Sequence, residues 1–257
     1  MKTMKKVFAL LLALCMVLAL AACGSSDSEG TTDADGDTLV MATSADFPPY
    51  EYMENGDFAG IDVEIAQAIA DKLGMTLDIQ NVNFDSVVAG VATGKYDMGM
   101  SGITVTDERK ESVDFSDSYT TAVQAIVVKA DSGLTSLDDI AAIDGFHIGV
   151  QLSTTGDIYV TDDYGADHVT EYKTGADAIQ ALVTDKVNAV VIDIEPAKSY
   201  VAANEGLTVL ETPYVEEQYA IALNKDNTEL NEKINNALNE LISDGTVQTI
   251  LDKYITE

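Results

Sequence analysis

Cysteine, histidine and basic side chains are all scarce in this sequence, and each scarcity removes a class of function. Only two cysteines and two histidines occur among 257 residues. The histidines, His147 and His168, stand apart from each other and from both cysteines. No metal-ligand cluster and no nucleophile motif is formed, so no metal, no cofactor and no catalytic residue is expected. Lysine and arginine total 14 against 44 aspartates and glutamates, a formal charge of −30. Such a chain repels phosphate backbones, which excludes nucleic-acid binding. Its plainest reading is a solvated acidic exterior that says nothing about the sign of a ligand. Long apolar runs are missing too, with one exception. Residues 7–20 (VFALLLALCMVLAL) are unbroken, but they fall short of the roughly 20 residues that span a bilayer.

That run has a positive flank in Lys2, Lys5 and Lys6 and leads into Leu20-Ala21-Ala22-Cys23. A short apolar segment with small residues before the cut is a secretory signal, and a cysteine placed directly after it reads as a lipobox. The expectation is a lipoprotein signal peptide over residues 1–22 and a lipid on the Cys23 thiol. The alternative is an ordinary secretory signal followed by a chance cysteine. Cys15 leaves with the signal, so the mature chain has neither free thiol nor disulfide. The remaining residues, about 235, suffice for one large or two medium cores without such staples. Residues 24–37 (GSSDSEGTTDADGD) offer Ala34 as their only apolar side chain. They cannot bury enough surface to offset ordering, so residues 23–37 form a lipidated, acidic tether.

The rest of the chain alternates strand and helix signals. Residues 38–43 read as a buried strand, and residues 46–50 as a loop, because Pro48 and Pro49 cannot sit in a ladder. Ile61, Ile65, Ile69 and Leu73 recur every four positions and Gly74 follows, which predicts a helix over residues 61–73. Strands are expected over residues 75–80, 96–100, 146–150 and 187–192, and helices over residues 85–93 and 176–184, with Thr174 capping the latter. The segment TGKYDMGMSG (93–102) parallels TDKVNAVVID (184–193). Two such units predict an α/β protein of two lobes, with residues 122–129 and 218–224 as the crossings between them. Lobe 1 would comprise residues 38–121 and 220–257, lobe 2 residues 122–219. Ligands of open α/β sheets bind beyond the carboxyl ends of strands. Here those ends are Ser44, Ser101-Gly102, Gln151 and Asp193, all facing one cleft.

Several side chains near those ends can carry recognition chemistry. Arg109 falls in the first turn of a short helix capped by Thr106, where a cation opposes the helix dipole. Its fork either holds a ligand carboxylate in two parallel bonds or pairs with one of the many nearby acids. Asp193 ends a run of apolar residues, and a carboxylate there needs a partner, either an ammonium group or loop amides. Thr154 and Thr155 either bind a carboxylate or cap the next helix. Phe47 and Phe84 either flank a ligand or fill the core.

The segments SGITVTDERKESVDFSDSY, DFPPYEY, GIDVEIAQAIADKLG and IGVQLSTTG resemble the extracellular solute-binding proteins of family 3, which bind polar amino acids. The likeness runs from about residue 39 to about residue 254, and the TDERK-to-FSDSY block is its specific part. The resemblance implies a type II periplasmic-binding-protein-like fold, two α/β lobes joined by two crossing strands. It also implies roles. Arg109 would clamp an α-carboxylate with Thr104 and the Thr155 amide. Asp193 and the Gly102 carbonyl would receive an α-ammonium. Phe47 and Phe84 would wall the pocket, and Ser101 and Gln151 would line it. Selectivity for the side chain would fall to Ser44, Gln151 and Ile192. Many members with basic or amide ligands hold an acid where this chain has Ser44. Neutral Ser44 and Gln151 therefore favour a neutral or polar amino acid, with arginine kept open.

Members of this family feed ABC importers, so the expected partners are a free L-amino acid, an ABC permease and, through Cys23, the outer face of the cell membrane, with the protein a monomer. A sensor that reports the amino acid to a receptor is the alternative. A dehydratase-type enzyme on the same fold is a further one, disfavoured by the lack of a placed acid or base.

Overall fold

The computed structural model describes residues 38–210 and 216–255. The expected signal peptide, the Cys23 lipidation and the tether lie outside the described residues. In chain order the first elements are β1 (Thr38–Thr43), β2 (Asp46–Phe47), β3 (Glu51–Glu54), β4 (Asp57–Ala59), α1 (Ile61–Leu73), β5 (Thr76–Asn81), α2 (Asp85–Ala92), β6 (Met98–Gly99), α3 (Asp107–Ser112), β7 (Asp114–Phe115) and β8 (Thr120–Lys129). There follow α4 (Leu137–Ala141), β9 (Ile148–Gln151), α5 (Thr155–Tyr164), β10 (Val169–Tyr172), α6 (Gly175–Val183), β11 (Ala189–Asp193), α7 (Ile194–Ala203), β12 (Leu207–Leu210), β13 (Glu216–Tyr219), β14 (Ala222–Leu223), α8 (Thr228–Ser243) and α9 (Thr246–Tyr254).

These elements build two α/β lobes. The sheet of lobe 1 runs β5-β1-β6-β14-β7, and that of lobe 2 runs β10-β9-β11-β8-β12. In each, a central strand has parallel neighbours on both sides: β1 pairs with β5 and β6, and β9 with β10 and β11. The carboxyl ends of these strands therefore point the same way within a lobe, which is where ligand-binding loops gather. Among the described residues the chain crosses between lobes twice. The first half of β8 pairs antiparallel with β13, while its second half joins β11 and β12 in lobe 2. Beyond β13, the chain enters lobe 1 again as β14, antiparallel to β6 and β7.

Apolar spacing explains the packing. Ile61, Ile65 and Ile69 of α1 are fully buried in one cluster with Ile234, Leu238 and Leu241 of α8. Each such side chain contributes about 1.5–3 kcal/mol on burial. Gly74 then ends α1 in the left-handed conformation, where it has no Cβ to clash. One local expectation is corrected. Residues 46–50 are not all loop, because Asp46 and Phe47 pair with Tyr52 and Glu51 as β2. The two prolines occupy only the turn, so the ladder loses no donor it needs. The resulting β2-β3-β4 hairpin brings Glu51 inward, where it is fully buried. The strand expected over residues 96–100 is also shorter, Met98–Gly99.

Candidate functional site

One cavity at the meeting of the two lobes is lined by Ser44, Phe47, Glu51, Phe84, Ser101, Gly102, Thr104 and Arg109 from lobe 1, and by Gln151, Thr154, Thr155 and Asp193 from lobe 2. The non-atom space among these residues, open solvent included, is about 310 Å³. All but one of the residues expected from the sequence are brought together here. The exception is Ile192, which sits in the hydrophobic core. Successive residues of a strand point to opposite faces. With Asp193 turned to the cavity, Ile192 is turned away, toward Gly175.

Three polar clusters divide the cavity wall. The first surrounds Arg109. Thr106 caps α3 by accepting the Arg109 amide at 3.1 Å. The guanidinium lies over the Phe84 ring, 5.4 Å from its centroid. Its Nη1 donates to the Thr104 carbonyl at 2.8 Å and its Nη2 to the Ser153 carbonyl of lobe 2 at 3.0 Å. Five N–H groups are available on this fork, so two bonds leave three donors for another acceptor. Burial lowers the Arg109 pKa from its ordinary value, while the charges of Glu217 and Asp193 act the other way.

The second cluster lies across the crossings. Glu217 on β13 accepts from Thr104 Oγ1 at 2.9 Å and from Gln124 Nε2 on β8 at 3.0 Å. Gln124 Nε2 also reaches Thr155 Oγ1 at 3.3 Å. The Thr104 hydroxyl proton is thus committed to Glu217, whereas the Thr155 hydroxyl proton is not used in that bond. Thr154 acts locally. Its hydroxyl donates to the Gln151 carbonyl at 2.8 Å and caps α5 by accepting the Asp157 amide. Gln151 Nε2 donates to the Lys173 carbonyl at 3.3 Å. Asp193 ends β11 with a buried carboxyl whose neighbouring donors are the Tyr219 hydroxyl and the Gln124 side chain. Burial first, and nearby Glu217 second, push its carboxyl up to about 7.

The third cluster adds two acids, Glu51 and Asp62, that the sequence expectations did not place in the site. Ser101 Oγ accepts the Ser44 amide at 3.0 Å and donates to Glu51 Oε1 at 2.8 Å. No N–H or hydroxyl donor reaches the buried Glu51 Oε2, and the Glu51 carboxyl shares a side-chain hydrogen bond with Asp62. Beside it, buried Asp62 accepts the Gly102 amide at 2.9 Å and the Tyr119 hydroxyl at 2.8 Å. Burial and the neighbouring Asp62 charge push the Glu51 carboxyl well up, and burial pushes Asp62 up to about 6. Gly102 closes this corner at φ +53°, where a Cβ would stand 3.0 Å from the Phe47 ring and 3.1 Å from the Tyr219 ring. A side chain here would be strained and would displace the Phe47 wall.

Residues 39–257 match the family described as bacterial extracellular solute-binding proteins, family 3. The arginine-binding extracellular protein ArtP of Bacillus subtilis (strain 168) is 37% identical over 263 residues, an alignment that takes in 98% of this chain and 99% of that protein. A solved structure of an ArgBP mutant from T. maritima superposes with a TM-score of 0.80 at 38% identity, over 86% of this chain and 96% of the other. ArtJ from Geobacillus stearothermophilus, an arginine-, lysine-, histidine-binding protein, does so with a TM-score of 0.80 at 36% identity, over 86% and 96%. The likeness covers both lobes, the crossings and the loops that line the cavity, and the chain belongs to the bacterial extracellular solute-binding proteins, family 3.

Proposed function

We propose that the protein captures a free amino acid with a cationic side chain, L-arginine fitting best, and delivers it to an ABC importer. It acts as a monomer, held by a lipid on Cys23 at the outer face of the cell membrane. In this reading Arg109 receives the α-carboxylate with help from Thr155 and the Thr104 amide. Asp193 and the Gly102 carbonyl receive the α-ammonium. Phe47 and Phe84 hold the alkyl stem between them, and Ser44, Ser101 and Gln151 border it. A charged ligand group inside a closed cavity must be paired, and each bond to a charged group contributes roughly 1.5–3 kcal/mol.

The single observation that carries the choice of ligand is Glu51. It lines the cavity, and among the described residues its buried carboxyl is bonded to Ser101 and Asp62 and to no cation. Its charge acts with Asp62 and Asp46, while Arg109 and Asp193 act with Glu217. The carboxylate that would meet a side-chain cation is therefore distinct from the pair that would hold the amino-acid head. Ser44 stands where many relatives hold an acid, and Glu51 on β3 supplies that acid instead. The names of ArtP and ArtJ support the same class of ligand.

Calorimetric titration of the domain from residue 38 onward with each of the twenty amino acids tests the reading. One L-arginine should bind per chain, lysine and histidine more weakly, and aspartate and glutamate not at all. A panel without any binding defeats the ligand class. Binding of neutral amino acids alone defeats the role of Glu51.

A further inference from the structure

Outside the cavity, a second set of bonds joins the lobes. Asp46 on β2 of lobe 1 faces the start of α6 in lobe 2, and its Oδ2 accepts the Gly175 amide at 3.2 Å. Its carbonyl oxygen accepts the Tyr200 hydroxyl from α7, also in lobe 2. Its Oδ1 is held from within lobe 1 by the Ser44 hydroxyl at 2.8 Å. Both carboxylate oxygens are therefore used, one in each lobe. Gly175 is the first residue of α6, where free amides and the helix dipole favour an anion. Thr174 caps the same helix through the Asp177 amide, so it does not compete for the Gly175 amide.

The packing around this contact is tight. A Cβ on Gly175 would lie 3.0 Å from Ile192 Cδ1 and 3.3 Å from the Tyr200 hydroxyl oxygen. Glycine at this position thus leaves room for both the Ile192 side chain and the Tyr200 hydroxyl. None of Asp46, Gly175 and Tyr200 is among the cavity-lining residues.

We infer that Asp46 and Tyr200 form an interlobe latch that a bound ligand does not touch, and that this latch sets how fast the closed lobes reopen. Its bonds join elements of different lobes, so they exist only in the closed arrangement. They stabilise that arrangement without adding a contact to the ligand, and their loss acts on release rather than on capture. The effect on release rests on the proposed capture of arginine; the effect on closure does not.

The test uses two variants, Tyr200→Phe, which keeps the ring and removes one donor, and Asp46→Ala. The chain from residue 38 onward has no cysteine, so Glu232→Cys on α8 and Asp162→Cys on α5, both at exposed sites of different lobes, take spin labels. Interlobe distances are measured without ligand, and L-arginine association and dissociation rates are measured by rapid mixing. Each variant should move the distance distribution toward the longer population. Each should raise the dissociation rate about 3- to 10-fold, the range of one net hydrogen bond, with the association rate unchanged. A general loss of structure would slow association as well. Wild-type distances together with wild-type dissociation in both variants overturn the latch while leaving capture intact. If no arginine binds, capture fails, and the distance distributions alone decide the latch.

Discussion

Replacing Glu51 by Gln separates the two costs that this side chain carries. Glutamine keeps an oxygen to accept the Ser101 hydroxyl, now 2.8 Å from Glu51 Oε1, and fills nearly the same volume. What disappears is the ionisable group that burial and Asp62 hold well above the ordinary carboxylate range. Without ligand, the variant should be at least as stable as the parent at pH 8, because no buried carboxyl has to ionise beside Asp62. With ligand, the guanidinium keeps a neutral acceptor but loses a charged one. A bond to a charged group contributes roughly 1.5–3 kcal/mol and a neutral one roughly 0.5–1.5. The expected loss is about 1–2 kcal/mol, or about 5- to 30-fold in affinity. L-glutamine, whose side chain is neutral, should bind parent and variant within about twofold. Calorimetry at pH 8 with both ligands, alongside thermal melts without ligand, measures all three quantities. Equal weakening of arginine and glutamine would refute the charge argument, and so would an unchanged arginine affinity.

Other outcomes follow from the same geometry. Arg109→Ala and Asp193→Ala should each weaken every bound amino acid by at least about 2 kcal/mol, since a ligand charge is left unpaired in a closed site; titration with arginine and glutamine checks both. Without ligand, stability should fall as pH rises from 5.5 to 8. Asp193 (about 7) and Asp62 (about 6) keep protons in the fold that the unfolded chain releases near 4. The folded state therefore binds more protons across that window, and its advantage is lost as pH passes the folded values. Surface carboxyls held low, such as Glu64 and Asp139, act only below the window. Melting curves should shift to higher temperature at pH 5.5, and arginine should stabilise more at pH 8. Finally, Cys23→Ala should move the full-length protein out of the membrane fraction; continued anchoring would remove the lipid reading.

Local pattern and strand-end logic made most of the site legible in the sequence. Ser44, Ser101, Gln151 and Asp193 end strands or follow them, and parallel pairing alone sends those ends to one side. The Thr106 cap that places Arg109 was readable from TDER. Parity along β11 was also readable. Since Asp193 faces the cavity, Ile192 next to it cannot, and expecting Ile192 to set selectivity beside an ammonium-binding Asp193 ignored the period of a strand. Thr154 and Asp157 have the spacing of a helix cap, which is where the Thr154 hydroxyl goes.

Glu51 was not legible in the same way. Its burial depends on Asp46 and Phe47 pairing as β2 across two prolines, and on the hairpin folding over the Ser101 loop. Glu54 ends the same short strand exposed; alternation puts the two on opposite faces, but EYME carries no apolar bias that tells which face is buried. Glu217 and Asp46 escape for a related reason. Their partners lie 113 and 129 residues away, and contacts between lobes leave no mark in a local window.

A crystal structure of the domain with L-arginine is the most direct measurement of the central claim. The account predicts the α-carboxylate on the Arg109 fork, the α-ammonium at Asp193 and the guanidinium within hydrogen-bond distance of Glu51. Arginine bound in the opposite direction, with its guanidinium at Asp193, or bound outside this cavity, would contradict it.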